Sequence, residues 1–176
     1  MLVFTGLFIL CSLYVCVQVR FILRRRRLSR TTIQELLGRI QPVNLDSISE
    51  IAINFLNPSR RQLDLEPPAM WVGVGEMPGL GALIENSAAI LDLAAFASRW
   101  NNVEGRVVAE MVRRDGVRLR RAVWKIQLAT YFGLGRVFAP FQLQEAVSAY
   151  YLMRCRLLGL YQVAHIGMYP RLAEVL

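Results

Sequence analysis

Lysine, histidine and cysteine are nearly missing from this chain of 176 residues: Lys125 and His165 are the only ones of their kind, and there are three cysteines. A single histidine excludes a multi-histidine metal site within one chain, and Cys155 does not stand at zinc-like spacing from it. Cys11 and Cys16 fall inside an apolar run far from Cys155 and no CxxC occurs, so no disulfide framework can be drawn. This usage fits a reducing compartment. There is no GxGxxG, no GK[ST] ending and no GxSxG elbow, which removes the usual local signatures of dinucleotide, P-loop and serine-hydrolase chemistry. The glycines at 73, 75, 79 and 81 match neither phosphate fingerprint. Carboxylate pairs such as Asp64 with Glu66, or Glu85 with Asp92, have nothing beside them that nominates a proton donor. A noncatalytic protein, without cofactor or metal, is the expectation.

Strand signals are as scarce. No Asn-Gly or Asp-Gly turn joins two alternating runs, since Asp115-Gly116 lies between helical patterns. No repeat of fixed period is present. The expected fold is all-α.

Hydrophobic residues make up 55% of the chain and mean hydropathy is +0.36, high for a soluble domain. From residue 2 to 19 there is no charge. Those residues would rise roughly 27 Å as a helix, and extension to residue 23 with Arg20 snorkelling reaches a bilayer core of about 30 Å. A cleaved signal would place basic residues before the apolar run and small residues at its end. Here Arg20, Arg24, Arg25, Arg26, Arg27 and Arg30 follow it. The positive-inside rule then predicts a single-pass signal anchor over 1–23, N-terminus outside, a basic juxtamembrane segment over 24–31, and a cytoplasmic helical domain over 32–176. The six arginines set topology and contact the bilayer, where anionic lipid strengthens the hold.

The net charge of +8 resides largely in that segment: without its six arginines, 15 basic residues face all 13 acids, about +2 for the rest. The near-balanced body argues against nucleic acid as a partner. The basic set is almost all arginine, suited to carboxylates, phosphates and aromatic faces, though genome composition produces the same bias.

Within 32–176 the signals predict five to six helices. Thr32 with Glu35 and Ser47 with Glu50 have the form of capping boxes, the first opening a helix to about Ile40 that Pro42 stops, the second a helix with Leu45, Ile48, Ile51, Ala52, Phe55 and Leu56 at helical spacing. Residues 57–79 hold four prolines and three glycines and read as one long packed loop, with room for an extended stretch over 70–74. Residues 80–100 read as the central helix, apolar around most of its circumference, with Glu85, Asp92 and Arg99 on one narrow polar stripe. A helix from about Asn101 ends at Asp115 or Gly116, or continues with Leu119, Val123, Ile126 and Thr130 on one stripe and Arg114, Arg118, Arg121 and Lys125 on another. Pro140 introduces the last long helix, to about His165, whose aromatics read as core, and a short element holding Pro170 ends the chain.

Three functions follow as expectations. The first is an anchored interaction or scaffold subunit, docking on a neighbouring membrane protein or a second copy through an apolar surface. The second is an anionic-lipid reader, less readily a nucleic-acid reader, in which Arg113, Arg114, Arg118, Arg120, Arg121 and Lys125, offset only by Asp115, bind anions. The third is a membrane-tethered enzyme on an apolar substrate.

Overall fold

The computed structural model describes residues 32–57, 66–98, 104–133, 135–163 and 169–176. The expected anchor and the arginines Arg20, Arg24, Arg25, Arg26, Arg27 and Arg30 lie outside the described residues, as does His165. The chain divides into two units, Met1–Glu35 and Leu36–Leu176. In the first, the Thr32 amide donates to Glu35 Oε2 at 3.4 Å, one half of the expected capping box.

Among the described residues there are seven helices and no strand: α1 Ile33–Leu37, α2 Leu45–Leu56, α3 Pro67–Val74, α4 Glu76–Ala97, α5 Glu104–Tyr131, α6 Gly135–Val163 and α7 Tyr169–Val175. The all-α expectation holds for them.

Several boundaries differ from expectation. Helix α1 ends at Leu37 rather than near Ile40. Helix α2 is capped by Asn44, whose Oδ1 accepts from the Ser47 amide at 3.2 Å, so the cap lies three residues before Ser47. The long loop expected over 57–79 is corrected from residue 67 onward, residues 58–65 lying outside the described ones: Pro67 and Pro68 occupy the first turn of α3, where their missing amides would have no intrahelical partner anyway, and 70–74 are helical, not extended. Gly75, left-handed at φ 83°, closes α3 and its carbonyl accepts from the Gly79 amide at 2.9 Å in the first turn of α4. Glu76 is also left-handed, at φ 56°, a strain of about 1 kcal/mol for a residue with a Cβ. Helix α5 runs through Asp115-Gly116 without a break, and α6 begins five residues before Pro140.

The core lies where α4, α5 and α6 pack together. Leu83, Ile90 and Leu93 of α4, Leu119 and Ile126 of α5, and Leu157 of α6 are fully buried. Gly116 marks the close approach: a Cβ there would stand 3.3 Å from Leu91 Cδ1 on α4 and 3.4 Å from Met153 Cε on α6. The central position expected for α4 belongs to α6, which touches α2, α3, α4, α5 and α7. Among the described residues α4 is the one helix long and apolar enough to cross a membrane, a property that covered core helices share. It packs against α3, α5 and α6, and it buries the polar Asn86 and Ser87.

Candidate interaction surfaces

Several polar groups inside the domain hold its helices together. Asn86 grips the backbone of Gln41, accepting from its amide at 2.7 Å and donating to its carbonyl at 2.8 Å. The same Nδ2 donates to the Tyr150 hydroxyl at 3.4 Å. Burial raises the Tyr150 hydroxyl above its ordinary value and pushes Tyr161 up to about 12, so both stay neutral, and Tyr161 donates to the Leu93 carbonyl at 3.3 Å. Asp115 is buried on α5 and ion-paired to Arg156 Nη1 on α6. Burial raises its carboxyl above the usual range, against the pull of Arg156. Among the described residues no group of histidine, cysteine and carboxylates could hold a metal ion. Cys155 is exposed and in no disulfide, and its thiol raises the hydroxyl of neighbouring Tyr151 above its ordinary value.

All six basic residues expected to bind anions stand on the exposed side of α5. They are not equivalent. Glu110 takes Arg113 in a two-pronged contact, Nε to Oε2 at 2.7 Å and Nη2 to Oε1 at 2.8 Å, with Arg114 Nε at 3.5 Å. The Arg113 and Arg114 guanidiniums hold the Glu110 carboxyl down to about 2. Asp115, counted in the sequence as their local offset, points into the core instead. That leaves Arg118, Arg120, Arg121 and Lys125 with no carboxylate ion-paired to them among the described residues.

At about 100° per residue, Arg114, Arg118, Arg121 and Lys125 occupy one shoulder of the outer face, about 60° wide, and Arg113 and Arg120 the other. Between the shoulders run Val117, Trp124 and Leu128, all exposed. The opposite stripe of Leu119, Val123 and Ile126 is buried as expected, while Thr130 is exposed and donates its hydroxyl to the Ile126 carbonyl at 2.8 Å.

A second exposed apolar group lies on α2, α3 and the start of α4: Ile53, Phe55, Leu56, Val72 and Met77. The described stretches that carry it have the opposite charge in sequence. The described stretches 41–57 and 66–98 contain Asp46, Glu50, Glu66, Glu76, Glu85 and Asp92 and no basic residue. The aromatic expectation for α6 divides similarly, with Tyr150 and Tyr161 buried but Phe141 exposed. Sequence periodicity missed the outer apolar residues of α5 because a helix's inner stripe sets the period and scattered outer residues do not disturb it.

No protein-family model, curated protein or solved structure matches this chain.

Proposed function

We propose that this chain is a noncatalytic, single-pass membrane-anchored docking subunit whose helical domain lies on the cytoplasmic side and binds a neighbouring membrane protein. The observation that carries the reading is the set of exposed apolar side chains on α2, α3 and the start of α4, where Val72 is 71% exposed. Exposed apolar side chains that gather into one patch support a surface that is covered in the assembled state. The uncharged run over 2–19 followed by the arginine block supports the anchor and its direction.

Photocrosslinkers placed at Phe55 and Val72 in intact membranes should each capture one discrete partner, and Val72→Glu should abolish the adduct formed from position 55. An adduct of twice the chain's own mass would make the partner a second copy. A chain that yields no adduct from either position and flies as a monomer in native mass spectrometry would overturn the reading. Direction is tested separately: a reporter fused after Leu176 should remain cytoplasmic, and neutralising Arg24 to Arg27 should let part of the population translocate it. Neutralising Arg118 and Arg121 should not.

A further inference from the structure

The turn that follows α5 carries rings that are exposed among the described residues. Tyr131 is 84% exposed and Phe132 65%, packed edge to face with centroids 5.4 Å apart. Trp124, 62% exposed, and Leu128 stand within two turns before the bend, and Phe141, 63% exposed, within two turns after it. From Gly116 to Gln144 the charge has one sign. Residues 116–144 hold Arg118, Arg120, Arg121, Lys125 and Arg136 and no acid, whereas α2 and α4 carry Asp46, Glu50, Glu76, Glu85 and Asp92 and no basic residue.

We infer that the end of the α5–α6 hairpin is an interfacial membrane contact for an anionic leaflet. Trp124, Leu128, Tyr131 and Phe132 enter the boundary between headgroups and acyl chains, and Arg118, Arg120, Arg121 and Lys125 beside them hold lipid phosphates. The geometry suits that occupant. Arginine and lysine stems beside an apolar seam let the seam sink while the charged heads stay at phosphate level. Tryptophan and tyrosine prefer this depth because one end of each ring is apolar and the other polar. A nucleic-acid strand would instead need ring faces spaced along a basic groove. Here two rings lean on each other at the tip of a hairpin, and the seam between the basic shoulders is partly aliphatic. The inference rests on the anchored reading in one respect: a tether at the bilayer raises the local concentration of lipid, so a weak contact suffices.

The full chain in vesicles tests it. With Trp71→Phe and Trp100→Phe, Trp124 is the sole tryptophan. In phosphatidylcholine vesicles containing phosphatidylglycerol, its emission should shift to the blue and be quenched by brominated acyl chains. Added salt should weaken both effects. In vesicles of phosphatidylcholine alone the quenching should fall several-fold. Arg118→Gln, Arg121→Gln and Lys125→Gln together should remove most of it, each basic residue near a charged leaflet contributing roughly 5-fold. In the companion variant that keeps only Trp71, on the acidic side, quenching should be absent. Trp124 left unquenched, or quenched equally in both lipids, would overturn the inference, as would a response to single-stranded oligonucleotide but not to phosphatidylglycerol. Retention of the chain in alkaline carbonate is measured in parallel. Its loss would remove the anchor while leaving the hairpin to be judged on Trp124.

Discussion

Gly79→Ala should unfold the junction of α3 and α4 and lower the domain's stability by more than about 4 kcal/mol, a loss reserved for changes the backbone cannot absorb. A Cβ on Gly79 would stand 1.8 Å from the Val74 carbonyl oxygen and 2.8 Å from its carbon. Neither atom belongs to a side chain that can rotate away. Relief would require opening the left-handed turn at Gly75, and with it the seating of Val74 and Met70, both buried. Gly81, two residues on, is the matched control: a Cβ there meets nothing within 4 Å, so Gly81→Ala should be neutral or stabilise by up to about 1 kcal/mol through helix propensity. Urea unfolding of the full chain, followed by circular dichroism, separates the two. Equal midpoints would show that the turn gives way without cost.

Asp115→Ala should cost roughly 3 kcal/mol, the lower end of the range for removing one partner of a buried ion pair. It lies at the lower end because the Arg156 side chain keeps 32% of its surface exposed, and its Nη1 also donates to the Met111 carbonyl at 3.4 Å. Replacing both, as Asp115→Leu with Arg156→Met, should return stability to within about 1 kcal/mol of the starting chain, since no charge is then left buried alone. A double variant as unstable as the single one would mean that packing, not charge, is at stake. Acidity gives a second readout. Burial raises the Asp115 carboxyl, so folding favours its protonated form, a contribution fully present below the ordinary aspartate value and lost as pH rises through the raised one. The unsubstituted chain should therefore gain stability relative to the double variant as pH falls from neutrality through that range.

Both results depend on contacts that local sequence does not announce. Asp115 and Arg156 are 41 residues apart, as Asn86 and Gln41 are 45. In sequence, Asp115 stands among arginines and counts as their offset. One step along a helix turns a side chain by about 100°, which is enough to carry a neighbour in sequence from the surface to the core. The Pro67-Pro68 pair reads as a helix breaker or a helix opener depending on whether apolar residues beyond it find something to pack on. Met70 and Val74 do, and a short helix forms where a loop was expected. Asp115-Gly116 has the composition of a turn, yet it lies inside α5 because the missing side chain of Gly116 lets Leu91 and Met153 close over it.

The sequence by itself determined the helical class, the inward stripe of α5 with its basic outer face, and the expectation of an anchor followed by a stop block, because periodicity, capping and charge runs are local and survive without knowledge of neighbours. Only the tertiary structure decided that α6 rather than α4 is central, that Asp115 is buried and ion-paired to Arg156, and that aromatic residues of the α5–α6 bend are left exposed by the fold. Those outcomes depend on which faces meet, and burial is a property of pairs of elements distant in the chain.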